Sequence, residues 1–276
     1  MKSALIAATL MIMTAAVSIA QGPQPQFETI LIPIVVPPGE EVPGAFGSRW
    51  TGEVWLRNGS EIIVGSPQGS RGCTGCTYPP GSIEKVELVT WQSAAHLFIP
   101  RSAIDEVSIN ARLFETSLRS QPQGVEVPVV READLFATPV NLLAIPLSDV
   151  SRAAVRIFDP FPNTGGSTFK VDVFGTGGTL LASTVLQTRH DPALVGQPGG
   201  FGHAWTPAFA IIPDVRMAFP QLNGEERVHV RVTPEQRDPL LPQLRYWTMA
   251  SVTDNETQHV LLVTPQCCGL GWSDLP

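Results

Sequence analysis

Apolar and polar residues alternate with a period of two in several segments of the chain. In "ERVHVRVT", Val228, Val230 and Val232 occupy every second position, and charged or polar residues lie between them. The segments "DEVSINARLF" and "TFKVDVF" repeat this alternation. Because successive side chains of a strand point to opposite faces of a sheet, the pattern predicts antiparallel sheets with one face exposed to water.

Short apolar segments bounded by Gly, Pro, Asn and Asp predict further strands. They include "FETILIPIVV", "WTGEVWLRN", "AHLFIP", "NLLAIPL", "RAAVRIF", "GTLLASTVLQ", "AFAIIP", "LRYWTMASVT" and "TQHVLLVT". Only "RSAIDE" and "READLFA" show helical patterning, and each is long enough for one or two turns. Four Ile-Pro pairs occur in these apolar segments, where proline is expected at a strand end or on an edge strand.

Strands of this length and spacing, joined by turns, predict an all-β fold made of two tandem immunoglobulin-like antiparallel β-sandwiches. The polar and then proline-flanked segment 121–138 is interpreted as a linker between a first sandwich at 27–120 and a second at 139–265. A short linker at 21–26 and a C-terminal tail at 266–276 complete the division. One larger sandwich is the structural alternative.

The first 20 residues have the pattern of a cleaved signal peptide. Lys2 precedes an uncharged apolar run, and small residues stand at Ser18 and Ala20, at the spacing that a signal peptidase recognises. An uncleaved membrane anchor is the alternative, because the apolar run is almost long enough to span a bilayer. We therefore expect the mature protein to be extracellular, on the cell surface or in the periplasm, without further membrane insertion.

The composition argues against nucleic acid and anionic lipid as partners. The chain has a formal net charge of −7, and removal of Lys2 with the leader makes it one unit more negative. A chain with this balance and without a basic cluster repels polyanions.

Three segments carry a resemblance to a known group of proteins. They are "SRWTGEVWLRN", "AAHLFIPR" and "WTMASVTDNETQHVLLVTPQ". They resemble segments of uncharacterised secreted bacterial proteins with tandem immunoglobulin-like sandwiches. The resemblance implies the fold and export, and it carries no catalytic or ligand motif.

The four cysteines are first interpreted as disulfide partners, since an exported protein with an even number of cysteines favours that reading. Cys73 and Cys76 form a C-x-x-C pair, and Cys267 and Cys268 are adjacent. The "TYPPGS" that follows Cys76 blocks the helix that a thioredoxin-type centre needs. Free thiols and a metal site are the other readings.

Bridges between the two cysteine pairs are favoured over bridges within them. A Cys267–Cys268 bond would strain the peptide between them, and a Cys73–Cys76 bond would close only a very small loop. Bridges from one pair to the other would close a loop of roughly 190 residues, worth up to about 5 kcal/mol in the chain-entropy model. We therefore expect the tail to be attached to the "GCTGCT" loop.

Other candidates for chemistry are weak. His190, Asp191 and His203 lie in one glycine-rich segment, but their spacing matches no metal-ligand pattern and a solvated loop is the simpler reading. "GTGGT" at 175–179 lies between two strand patterns, which favours a hairpin over a phosphate loop. No metal, cofactor or catalytic residue is predicted.

Trp55 is the one residue proposed for ligand contact. In "WTGEVWLRN", Val54 and Leu56 share a face, so Trp55 points outward, where its ring could stack on a sugar or peptide or pack against the neighbouring domain. Phe158 and Tyr246 are weaker candidates of the same kind.

The leading hypothesis is an exported non-catalytic β-sandwich protein that acts as a structural, adhesion or binding module with an unknown protein or glycan partner. A secreted carbohydrate-active hydrolase or carbohydrate-binding accessory domain is the alternative. A metal or redox role of the cysteines is the third hypothesis.

Overall fold

The computed structural model describes residues 26–36, 40–65, 77–86, 94–117, 124–161, 166–189, 207–235 and 244–265. Strands account for 58% of this part of the chain and short helical segments for 9%, which confirms the prediction of an all-β fold. Every strand pairing found there is antiparallel. The predicted signal peptide and C-terminal tail lie outside the described residues.

Ten strands form the N-terminal half of the described chain. They are β1 (Phe27–Ile32), β2 (Val42–Pro43), β3 (Arg49–Asn58), β4 (Val64–Gly65), β5 (Thr77–Tyr78), β6 (Ile83–Lys85), β7 (Ala95–Pro100), β8 (Val107–Glu115), β9 (Gly124–Val127) and β10 (Val130–Arg131). One sheet has the order β10-β1-β7, and a second has the order β2-β3-β8-β9, with β6 also paired to β3. Strands β4 and β5 form a small separate ladder.

Eight strands form the C-terminal half. They are β11 (Val140–Pro146), β12 (Ser151–Asp159), β13 (Thr168–Gly175), β14 (Leu180–Gln187), β15 (Ala208–Ile212), β16 (Arg227–Pro234), β17 (Trp247–Asp254) and β18 (Val260–Val263). They form two four-stranded sheets, ordered β11-β16-β13-β14 and β15-β12-β17-β18. The only α-helix of the described residues, α1 (Val215–Ala218), follows β15.

Each half has its own hydrophobic core. In the C-terminal half, residues of both four-stranded sheets contribute to one cluster of buried side chains. Val228, Val230 and Val232 of β16 are fully buried in it, as the alternation in the sequence predicts. In the N-terminal half, a second cluster joins β1 and β7 to β3 and β8. Each core therefore lies between sheets, which is the arrangement of packed β layers.

Turn chemistry ends the strands where the sequence predicts. Each of the four Ile-Pro pairs lies at the C-terminal end of a strand: β1, β7, β11 and β15. The segment 175–179 connects β13 to β14 as a hairpin, in which the Gly178 amide donates a hydrogen bond to the Gly175 carbonyl (2.9 Å). Gly178 has a φ of 76°, a conformation that glycine adopts without the steric cost of a side chain.

Residues 124–131, within the predicted linker, form β9 and β10. Strand β9 pairs with β8, and β10 pairs with β1, so both belong to sheets of the N-terminal half. Val127 is buried in the core of that half. The division into two domains stays a prediction, but the segment that joins the two cores begins after β10.

A third buried cluster, here called the junction, joins the two halves. Its members are Leu31 and Val130 from the N-terminal half and Phe158 and Met249 from the C-terminal half. Partly buried apolar side chains surround it: Ile34, Ala94, Leu135, Phe209, Trp247 and Leu262. The outer face of the β15-β12-β17-β18 sheet is therefore partly covered by the β10-β1-β7 sheet.

A network of salt bridges joins β1 and β10 to the residues that follow β7 and β10. Arg131 of β10 binds Glu28 of β1 in bidentate geometry, with N···O distances of 2.8 and 3.1 Å. Arg131 also pairs with Asp105 (2.8 Å), and Arg101 pairs with Glu132 (2.9 Å). The hydrogen bonds to Glu28 and Asp105 raise the pKa of Arg131. Because the Glu28 side chain is buried, the two arginines supply the charge that it needs in that position.

We expect Phe158→Ala to destabilise the protein by about 3–5 kcal/mol, because it removes a fully buried ring from the junction and leaves a cavity. Leu261→Ala is the control, since Leu261 lies on β18, the edge strand of the same sheet, and is 47% exposed, and it should cost less than about 1 kcal/mol. Equilibrium denaturation in urea measures both changes. Equal losses in the two variants would contradict the buried position of Phe158.

Asp159, at the end of β12, carries a carboxyl group that is fully buried. It accepts hydrogen bonds from the Ser167 hydroxyl and from the Phe161 amide (3.1 Å). Burial raises the pKa of Asp159 to about 6, and the two hydrogen bonds only partly oppose that rise. The folded protein thus favours the protonated form relative to the unfolded chain, whose carboxyl titrates near 3.9.

A pH-dependent change in stability follows from this shift. The stabilising contribution of protonated Asp159 is complete below about pH 4 and is lost as the pH rises through about 6. The Asp159→Asn variant has no carboxyl to titrate at this position and does not lose stability in this way. From pH 4 to pH 7 the difference in the free energy of unfolding between the variant and the wild type should therefore change in favour of the variant by up to about 3 kcal/mol. Urea denaturation at a series of pH values measures the difference, and Asp134→Asn, at an exposed position, controls for the loss of one charge. Parallel pH profiles for wild type and Asp159→Asn would exclude this role.

Candidate functional site

A groove of about 680 Å³ lies next to the junction, between the two halves. One wall is the outer face of the β15-β12-β17-β18 sheet. The other wall comes from the N-terminal half. The groove is lined by Ile34, Val35, Val36, Val42, Gly44, Trp50, Leu113, Arg152, Ala154, Arg156, Phe209, Ile211, Pro213, Ser251, Thr253, Val260 and Leu262. Ile34, Phe209 and Leu262 also pack against the junction, so the junction closes one end of the groove.

The alternation of β12 determines which of its side chains reach the groove. Ala153, Val155 and Ile157 face the core of the C-terminal half. The intervening residues therefore lie on the outer face, where Phe158 enters the junction. Arg152, Ala154 and Arg156 precede Phe158 on this face, and all three line the groove.

Arg156 lies among apolar neighbours. In the register of the sheet it is directly opposite Ile211 on β15 and Met249 on β17. Its Nη1 donates a hydrogen bond to the Ser251 hydroxyl at 2.5 Å. Among the described residues no carboxylate forms an ion pair with it. Burial, followed by the positive charge of Arg152, lowers the pKa of Arg156 to about 10, so the guanidinium stays charged at neutral pH.

Arg152 is a second cation on the same face. Its guanidinium carbon lies 5.7 Å from the centre of the Phe46 ring, within the range of a cation–π contact. Burial lowers the pKa of Arg152, and the Asp214 carboxylate opposes that effect. Within the described part of the chain, Arg152 therefore has partial electrostatic compensation, and the guanidinium of Arg156 has a neutral hydroxyl as its partner.

Trp50 on β3 forms part of the opposite wall. Its Nε1 donates a hydrogen bond to the Ser48 hydroxyl at 3.1 Å, which satisfies the indole. The chain passes closely over the ring at Gly44, where an added Cβ would lie 2.7 Å from Nε1. Trp50 and Val260 also line a neighbouring cavity of about 240 Å³, which includes Glu115 and His259. The two cavities therefore adjoin along the same boundary between the halves.

The lining of the groove suits binding better than acid–base chemistry. Its walls are largely aliphatic and aromatic, and the hydroxyls of Ser251 and Thr253 lie beside the two arginines. Among the described residues it contains no carboxylate, histidine or cysteine. An arrangement of this kind can bury an apolar body and pair an anionic group with a guanidinium.

None of the site residues predicted from the sequence is among the described residues that line the groove. Cys73, Cys76, Cys267 and Cys268 lie outside the described residues, so their disulfide bonds stay a prediction. His190, Asp191 and His203 also lie outside that part of the chain. Within it, no group of three His, Cys, Asp or Glu side chains could hold a metal ion.

Trp55 points outward, as predicted, and is 39% exposed. Its cross-strand neighbours are Lys85 on β6 and Asn110 on β8. It lines neither of the two cavities between the halves. Its contact with a ligand stays a prediction.

The two weaker aromatic candidates are buried, which favours the packing alternative over ligand contact for both. Phe158 packs in the junction, which corresponds to the alternative of packing against the neighbouring half. Tyr246 is fully buried, and its hydroxyl donates to the carbonyls of Thr138 (2.9 Å) and Val232 (3.0 Å). Both rings therefore support the fold.

Sequence reasoning missed Arg152, Arg156 and Trp50. The segment "RAAVRIF" predicts the strand, but arginines on the outer face of a strand are ordinarily exposed to water and do not by themselves identify a site. The sequence signal that could have identified the site is the presence of both Arg and Phe on the face of β12 that points away from the core. The docking of the second half accounts for Phe158 on that face.

In comparisons with protein-family models, curated proteins and solved structures, no match to this chain was found. The resemblance to secreted bacterial proteins with immunoglobulin-like sandwiches thus stays a prediction. No helix in the described part of the chain is long and apolar enough to cross a membrane.

We expect Arg156→Met to stabilise the ligand-free protein by about 1–2 kcal/mol, because it replaces a partly desolvated cation by an apolar side chain of similar length. Arg227→Met is the control, since Arg227 lies on an exposed face of β16, and its effect should stay within about 0.5 kcal/mol. Thermal and urea denaturation measure both changes. A marked loss of stability in Arg156→Met would show that the guanidinium has a compensating partner.

Proposed function

We propose that this protein is an exported, non-catalytic binding protein that takes its ligand in the groove between its two halves. In this proposal the first 20 residues are removed on export, and each half is an immunoglobulin-like sandwich. The observation that carries the proposal is the groove of about 680 Å³ beside the junction, with apolar walls and two arginines.

The dimensions and position of the groove support a binding role. Sites for small molecules typically have volumes of about 300–1,000 Å³, are mostly apolar with few polar groups, and often lie between domains. The groove has each of these properties. Its closed end is formed by the junction, whose members are tightly buried.

The ionisable groups of the lining support a role without catalysis. Among the described residues of the groove, Arg152 and Arg156 are the only ionisable side chains. Arginine stays protonated near neutral pH and is poorly suited to general acid–base chemistry. In the described part of the chain, the observation that favours the alternative of a carbohydrate-active protein is the exposure of Trp55.

The proposal predicts that the groove binds an uncharged apolar probe and that a bulky side chain blocks it. We expect N-phenyl-1-naphthylamine to gain fluorescence with the wild-type protein and to lose most of that gain with Ile211→Trp. Ile211 lines the groove and is 39% exposed, so its sheet position tolerates the larger ring. Fluorescence titration measures the affinity.

Leu261→Trp is the matched control for this experiment. Leu261 lies in the same sheet and is similarly exposed, but it does not line the groove. Its neighbours Val260 and Leu262 do, because successive side chains of a strand point to opposite faces. The control should bind the probe as the wild type does. Equal binding by all three proteins, or no binding by the wild type, would refute the groove as the binding site.

A further inference from the structure

We propose that the ligand is an amphiphile with one anionic head group, which pairs with Arg156 while its apolar part lies along the groove. This inference rests on the proposed function and names the chemical class of its ligand. Arg152 adds positive potential on the same face of β12.

The first support is the unusual position of Arg156 in the sheet. Its two cross-strand neighbours, Ile211 and Met249, are apolar, and Ser251 supplies only one neutral acceptor. A guanidinium has five N–H donors in a planar fork, and a carboxylate or phosphate accepts two of them in parallel. An anion bound here would therefore supply both the counter-charge and the acceptors that the described neighbours do not.

The second support is the character of the remaining wall. The surfaces on either side of the arginines are formed by apolar residues: Ile34, Val36, Trp50, Leu113, Ile211 and Leu262. Removal of such surface from water favours an apolar ligand by about 25 cal/mol per Å². The groove thus combines a positively charged group with an extended apolar surface, which matches the two ends of an anionic amphiphile.

The third support is the contrast between the two arginines. Arg152 already contacts the Phe46 ring and experiences the Asp214 carboxylate. Arg156 has neither, and it lies nearer to the junction, where Phe158 follows it on the same face. We therefore expect the affinity for the anionic head group to depend strongly on Arg156 and more weakly on Arg152.

The experiment compares three ligands with the same apolar chain: decanoate, decanol and decyl phosphate. Their affinities are measured on the full chain by displacement of N-phenyl-1-naphthylamine and by titration calorimetry. The wild type should bind decanoate or decyl phosphate at least about 10-fold more tightly than decanol, since a charge-assisted hydrogen bond contributes on that scale. The anion with the larger gain identifies the head group as carboxylate or phosphate.

Substitutions test whether the two arginines cause the tighter binding of the anionic ligands. Arg156→Gln should abolish the preference for the anionic ligands without changing the affinity for decanol, and Arg152→Gln should reduce it only by about 2- to 5-fold. Arg156→Lys should retain part of it, because lysine keeps the charge and loses the planar fork. Arg227→Gln, at an exposed position outside the groove, is the matched control and should behave as the wild type. Circular dichroism checks that each variant is folded.

The outcomes separate this inference from the proposed function. If the probe binds in the groove but decanol and both anions bind equally, or if Arg156→Gln keeps the preference, the inference is wrong and the binding role stands. If the probe does not bind in the groove, both are wrong. A dimeric wild type that ignores all three ligands and dissociates on Ile211→Trp substitution would show that a second copy occupies the groove, which also overturns the inference.

Discussion

The contact between the two halves is the constraint on which the rest of the structure depends. A β-sheet that is buried on one face by its own core exposes the other face, and on β12 and β17 that outer face carries the large apolar residues Phe158 and Met249. Exposure of this apolar face to water would be unfavourable. Leu31 and Val130 of the N-terminal half cover it. The junction therefore stabilises each half through the other and determines their separation along the rest of the sheet.

The groove is a geometric consequence of that contact. The two halves meet closely at the junction, but along the continuation of β12 the facing residues change from Phe158 to Arg156, Ala154 and Arg152. Beside these residues the space between the halves is not filled by side chains and forms the groove. One strand thus combines a residue that packs between the halves, Phe158, with residues that line the groove.

The sequence predicts the strands better than it predicts the site. Strict alternation, as at Val228 to Val232, reports on a local property, namely which face is buried, and the structure confirms it. The outward position of Trp55 follows from the same rule. The groove depends instead on two faces that are distant in the chain, namely the core face of β3, which carries Trp50, and the outer face of β12. Alternation within one strand cannot show which faces meet. For the same reason alternation could not decide between ligand contact and packing for Phe158 and Tyr246, since both are buried by neighbours from remote segments.

The energetics of β12 favour a functional explanation of Arg156. A methionine at that position would match its neighbours Ile211 and Met249 and would avoid the desolvation of a guanidinium. Asp159, three residues later, is a different case, since its buried carboxyl accepts hydrogen bonds from the Phe161 amide and from the Ser167 hydroxyl, which link the end of β12 to the residue before β13. Structural needs account for Asp159, but they leave the cost of Arg156 unexplained. A residue that weakens the ligand-free fold is retained most readily where binding returns the lost free energy, and an anion in the groove would do so.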